Sequence, residues 1–316
     1  MSTWLAERAG HGAVLVTGPD ATSFLQSLVS QDLDQLGDGD GAPSLLLTPQ
    51  GKLGIVLRML RVGVDDAPPE WWLDCEAGFG GQLAVALDRY RIRVDAEVHD
   101  RSEAWSLLEV RGHEAIARAA AAAQARIPDA PGGHVAWADR RVVRADWADR
   151  QGVDVVGPIE SVRRARDELL EAGVPPAGPG AYEVARIEAG VARLGVDVDE
   201  RTIPQEAFLE REAVSFTKGC FLGQELVCRI DTRGHVNRYL RRLRVPGDVV
   251  PAPGADVVAS GATVGNVTSV AAVAGESRAL ALAMVRREVE PPTDVLVRWP
   301  GGEVSATVEE LTGSGS

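Results

Sequence analysis

From residue 240 onward the chain is written in short β-rich runs. They are Leu240 to Val245, Asp256 to Val258, Ala262 to Val270, Ala279 to Val285, Asp294 to Trp299 and Val304 to Glu309, separated by Gly, Pro and Asp. Runs this short cannot bury their apolar side chains alone. Their spacing predicts a small antiparallel barrel or sandwich. The chain before residue 240 follows another pattern, in which strands alternate with helices. At 316 residues it is long for one core, so two or three domains are expected.

In the first block, from about 12 to 62, Ala13 to Val16 predicts a strand and Gly18-Pro19-Asp20 opens a helix whose apolar stripe is Phe24, Leu25, Leu28 and Leu36. Ser44 to Thr48 and Leu53 to Val62 predict strands flanking the Pro49-Gln50-Gly51 turn. The second block, from about 65 to 175, alternates strands at 71–75, 104–110 and 140–146 with helices at 81–92, 113–127 and 158–172. The last of these helices starts on Pro158 and meets Gly173, which matches proline-in, glycine-out capping. The alternation implies α+β layers with helices on one face. Pro175 to Gly180 is the clearest linker, a helix follows at 182–192, and Gly313 to Ser316 forms a frayed tail.

The formal charge of −13 and pI near 4.9 argue against wholesale binding to nucleic acid or an anionic membrane. No apolar run approaches the ~20 residues that span a bilayer, and the N-terminus lacks a basic start followed by an apolar core. Cys75, Cys220 and Cys228 form no disulfide framework, so reduced thiols in the cytoplasm are expected. The five histidines show no metal spacing, and no metal site is expected.

Of 33 basic residues only two are lysine, Lys52 and Lys218. In so arginine-rich a chain Lys218 reads as a compact ammonium chosen over a planar fork. It stands two residues before Cys220, where it favours the reactive thiolate. Gly219 and Gly223 suggest close backbone approach. Against this stands the bland alternative of a small, buried, inert cysteine. Gln224 and Glu225 are candidates for holding the Cys220 loop, although Glu225 and Arg229 equally suit a helix-surface pair.

The run Lys218-Gly219-Cys220-Phe221-Leu222-Gly223-Gln224-Glu225, followed by Arg229 to Arg238, resembles the signature of the YgfZ-type folate-binding proteins. These are relatives of the glycine-cleavage T-protein, the aminomethyltransferase. Gly18-Pro19-Asp20, Leu47-Thr48-Pro49-Gln50-Gly51-Lys52 and Arg186-Ile187-Glu188-Ala189-Gly190 resemble further family elements. The resemblance implies an α+β, three-lobed aminomethyltransferase-type fold with a C-terminal antiparallel β-barrel and a central folate channel. The implied domains are a discontinuous folate-binding domain at 1–62 plus 176–238, a ferredoxin-like domain at 63–175, and a barrel at 239–316.

The resemblance also assigns roles. Tetrahydrofolate or a derivative is the cofactor, and Glu188 takes its pterin through paired N–H···O bonds. Arg186, Arg229 and Tyr90 are further candidate contacts. Cys220, activated by Lys218, faces the same cavity. The segment from Arg229 to Arg244 holds six arginines against Asp231, and part of it would meet the glutamate tail of folate. The implied role is support of iron–sulfur cluster assembly or repair, with client enzymes or assembly factors as partners. A folate-dependent one-carbon transferase, or a pathway enzyme reusing the scaffold, is the alternative. Aminomethyltransferases carry paired aspartates where this chain has Gly54-Ile55. Neither residue can replace a carboxylate at a reacting one-carbon centre.

Overall fold

The computed structural model describes residues 2–148, 150–178 and 180–311. The expected tail Gly313 to Ser316 and Pro179 of the expected linker lie outside the described residues. The first elements are β1 (Trp4–Arg8), β2 (Gly12–Thr17), α1 (Ala21–Leu28), β3 (Gly41–Leu47), β4 (Leu53–Val64) and β5 (Ala67–Cys75). Next come α2 (Gly80–Asp88), β6 (Glu97–Asp100), β7 (Trp105–Arg111), α3 (Ala115–Ala123), β8 (His134–Trp137), β9 (Arg140–Arg144), β10 (Gly152–Pro158) and α4 (Ile159–Glu171). Three helices follow, α5 (Ala181–Glu188), α6 (Glu210–Ala213) and α7 (Gln224–Arg233). The chain closes with β11 (Arg238–Pro246), β12 (Asp256–Ala259), β13 (Ala262–Ala272), β14 (Arg278–Arg286), β15 (Thr293–Trp299) and β16 (Gly302–Glu309).

Two compact units emerge. The first comprises Met1–Asp146, Arg150–Pro176 and Glu210–Glu225, and the second Trp147–Asp149, Ala177–Leu209 and Leu226–Ser316. In the first unit two five-stranded antiparallel sheets run β1-β7-β10-β9-β8 and β3-β4-β5-β2-β6. Strand alternation explains the layering. Val153 and Val155 of β10 pack with Leu108 and Val110 against Ala115 and Ala119 of α3 and Val162, Ala165 and Leu169 of α4. On the other face Leu107, Val143 and Val156 meet Leu60, Val62 and Trp72 of the second sheet. Arg58 ties this contact with bonds to Asp74 (2.9 Å) and Asp154 (2.6 Å), and Arg111 lies 2.7 Å from Asp154. Buried charges persist only when paired in this way.

The expected break at 62/63 falls inside the β4–β5 hairpin, whose pairing runs from Leu57↔Cys75 to Val64↔Ala67. Strand β1, which the pattern did not announce, joins β7 of the other sheet. The expected lobe at 176–238 is likewise divided: 210–225 belongs to the first unit, while 177–209 and 226 onward belong to the second.

The second unit carries the predicted barrel. Its six antiparallel strands close in the order β11-β14-β13-β12-β15-β16. Small and branched residues fill it, among them Leu243, Val245, Val257, Ala281, Ala283, Val297 and Val308. Helix α5 packs on β13 and β14.

Candidate functional site

The first cluster is the signature loop in the first unit. Lys218 is 9% exposed, and its Nζ donates to the carbonyls of Gln26 (2.8 Å), Val29 (2.8 Å) and Gln31 (2.7 Å). An ammonium has three N–H donors, and all three are taken. Burial pushes this amine down to about 8 against the pull of Asp32 and Asp34, so at neutral pH it keeps the proton the three carbonyls need. These bonds give Lys218 a structural role that the sequence expectation of a thiol activator did not include. The ammonium closes the segment after α1 onto the signature loop and has no N–H left for a thiolate.

The other end of the loop is fixed by Gly223. Its φ is +76°, and a Cβ there would run into Thr48 O and stand 2.9 Å from Leu47 Cβ. The close approach expected of this glycine is present, against the turn between β3 and β4. At Gly219 a Cβ would meet nothing within 4 Å, so no such demand exists there. Phe221 is buried between the two anchors, its ring 5.5 Å from the Lys218 Nζ. Gln224 accepts the Phe221 N–H at 3.1 Å, as a loop-holding residue should. Cys220 is exposed, and Glu225 and Arg229 are exposed on α7. Cys75 is buried in β5, where burial and then Asp74 push its thiol far up, and it is inert. Cys228 is half-buried on α7. Tyr90 lies half-exposed in the turn after α2, which ends at Asp88 rather than Ile92.

Gly54 and Ile55, where the resemblance leads one to expect paired aspartates, lie on β4 in the first unit. Leu53, Ile55 and Leu57 face the core. A Cβ on Gly54 would stand 2.7 Å from Leu46 O. The present backbone thus has no room for a side chain at 54.

The second cluster is the end of α5 in the second unit. Arg186 is fully buried and uses all five donors: Nε and one Nη on Glu183 (3.1 and 2.7 Å), and the rest on Val191 O (2.7 Å), Asp197 (2.8 Å) and Ser269 (2.7 Å). Its expected role as a cofactor contact is corrected, because no donor remains. It bolts α5 to β13 instead. Asp197, 3% exposed, completes the joint by accepting from Arg193 N–H and the hydroxyls of Thr268 and Ser269. Sequence reasoning missed Asp197; its signal was a carboxylate between Val196 and Val198 beside Gly195.

Glu188 is the last residue of α5. Its carboxylate side chain is 25% exposed and stands 3.6 Å from Arg278, while its carbonyl accepts from Arg242 at 2.8 Å. Three of the six arginines in the arginine-rich segment are paired with carboxylates. Arg238 bonds Glu206 (2.9 Å), and Arg242 (3.1 Å) and Arg244 (2.9 Å) share Glu309. These three arginines are thus engaged within the protein, which narrows the part of the segment that could meet a folate tail.

The GCVT N-terminal domain family matches residues 4–218. An aminomethyltransferase of Rubrobacter xylanophilus is 30% identical over 298 residues, covering 91% of this chain and 77% of that protein. The chain belongs to the GCVT aminomethyltransferase family. A second relative in the family, the aminomethyltransferase of Herpetosiphon aurantiacus, is 27% identical over 292 residues, covering 90% of this chain and 79% of that one. The crystal structure of the glycine cleavage system aminomethyltransferase T from Bartonella henselae superposes with a TM-score of 0.84 at 22% identity, covering 98% of this chain and 86% of that one. The α+β fold with its closed terminal barrel is thus the family's fold.

Proposed function

We propose that this chain is a folate-binding member of the family that supports iron–sulfur cluster assembly or repair in client enzymes, and that it does not turn over an aminomethyl donor. The observation that carries this reading is the contrast between two loci. On β4 the chain has Gly54-Ile55 where the resemblance expects the paired aspartates of the transferases, residues 53 to 57 include no carboxylate, and a Cβ on Gly54 would stand 2.7 Å from Leu46 O. On the signature loop an exposed thiol, Cys220, sits between two fixed anchors.

Tetrahydrofolate fits the residues present. The Glu188 carboxylate is accessible, and an ionised carboxylate is the acceptor a pterin's adjacent N–H groups require. Arg186 holds α5, and so Glu188, in place through five bonds. Bound folate supplies amines that carry one-carbon units; the chain's part is to hold the pterin edge and to present a thiol. Cys220 is the group available for nucleophilic, sulfur or iron chemistry.

The names of the relatives favour a second reading, folate-dependent aminomethyl or methyl transfer. One assay separates the two. The protein is incubated with tetrahydrofolate and an S-aminomethyl donor, and methylene-tetrahydrofolate is measured. The proposal expects binding without product, and expects Cys220→Ala to keep folate affinity while failing to restore client enzymes in cells that lack the protein. Catalytic product formation establishes the second reading instead.

A further inference from the structure

One arginine of the 229–244 segment differs from its neighbours. Among the described residues the Arg241 guanidinium donates no hydrogen bond and joins no ion pair, whereas Arg238, Arg242 and Arg244 are each paired with a carboxylate. It is held by rings. Its Cζ lies 4.9 Å from the Tyr239 centroid and 5.7 Å from that of Phe208. Those two rings stack at 5.3 Å with 6° between their planes. All three side chains are half-buried, all belong to the second unit, and the stacking fixes the guanidinium while leaving its N–H edge uncommitted.

The backbone is strained to build this shelf. Phe208 has φ +59°, a left-handed conformation that a bulky residue rarely adopts. The preceding turn over-determines it. Glu206 binds the Ile203 N–H (3.0 Å) and the Arg238 guanidinium, and Leu209 N–H returns to Pro204 O (3.1 Å). Strain held in place this way accumulates at ligand clamps. Burial also holds the Arg241 guanidinium below its ordinary value, against the pull of Glu310. A flat aromatic surface beside a fixed guanidinium with open donors suits one ligand chemistry, an aryl group carrying a carboxylate.

We infer that the Phe208–Tyr239–Arg241 shelf receives the aminobenzoyl-glutamate end of a folate, with Arg241 pairing its carboxylate. The inference rests on the folate reading above and narrows the tail contact from a patch to one arginine. A charge-assisted pair of this kind is expected to change affinity about tenfold or more.

The test is calorimetric titration of the intact protein with tetrahydrofolate and with tetrahydropteroate, which lacks the glutamate. Wild type is expected to bind tetrahydrofolate about tenfold more tightly. Arg241→Gln should abolish that preference and leave tetrahydropteroate affinity unchanged. Phe208→Gly relaxes the backbone, since glycine adopts positive φ freely, and should weaken the preference without unfolding the protein. Equal wild-type affinity for both compounds, or a preference that survives Arg241→Gln, overturns the inference and leaves the folate reading standing. Failure of both compounds to bind wild type overturns the two together.

Discussion

The two lysines of this chain show how far a single residue type can be interpreted. The compact ammonium of Lys218 was chosen, as its rarity suggests, but for a reason the sequence does not display. Its three N–H groups meet three carbonyls at 26, 29 and 31, nearly two hundred residues away in sequence. Lys218→Met should cost about 3 kcal/mol by leaving those carbonyls unsatisfied, measured by urea unfolding. Lys218→Arg should not rescue it, because a planar fork cannot direct three donors from one atom. An unchanged midpoint in both variants would contradict the clamp. Gly223→Ala should cost about 2 kcal/mol or more from the left-handed φ and the collision with Thr48. The cysteines should separate by exposure. Iodoacetamide should label Cys220 first and Cys75 only on unfolding, and Cys220→Ala should remove the fast phase seen by mass spectrometry.

At the scale of elements, local chemistry was legible where local chemistry decides. The capping of α4 by Pro158 and Gly173 and the β-rich runs after 240 became the helix and the barrel strands. The helices end earlier than apolar spacing suggests: α3 stops at Ala123 with Gln124 left-handed, and Ile127 reaches the core from beyond it. The four-residue strands β6 and β8 exist because neighbouring strands offer them an edge, which composition does not record. Of the candidate site, the loop and its Gly223 were legible, whereas the partners of Lys218 were not, because Gln26, Val29 and Gln31 are far off in sequence; of the Arg186 partners only Ser269 is distant, and Glu183, Val191 and Asp197 are near neighbours in the chain. Arg186→Ala should cost about 3–5 kcal/mol by leaving Asp197 buried without its cation, a loss visible in chemical unfolding.

His134, at the start of β8, carries a pH prediction. It is 3% exposed, and its Nε2 donates to Arg61 O at 3.1 Å. Burial, and then Arg141, lower its pKa from 6.5 to about 4. The unfolded chain therefore binds this proton more tightly. Stability from this residue is full above pH 6.5 and is lost as pH falls to 4, by about 3 kcal/mol. Glu109, pushed up to about 7 by burial, works in the opposite direction, so the comparison is between proteins. His134→Gln, which keeps a donor without a titrating group, should flatten the difference between pH 6.5 and pH 4 by that amount. An identical pH slope in the variant would contradict it.

For the whole molecule, the family fold is present, with its closed terminal barrel. The barrel, the two sheets and the helix carrying Glu188 remain, but β4 offers no carboxylate from 53 to 57. On the proposed reading, the five-bond arginine keeps the helix of Glu188 rigid for folate, and the want of a carboxylate on β4 suits binding better than turnover. The most direct measurement is calorimetric titration of the intact protein with tetrahydrofolate, beside Glu188→Gln. Saturable one-site binding by wild type is expected, with a loss of about tenfold or more in the variant and an unchanged unfolding transition. Binding that is indifferent to Glu188, or no binding by wild type, would contradict it.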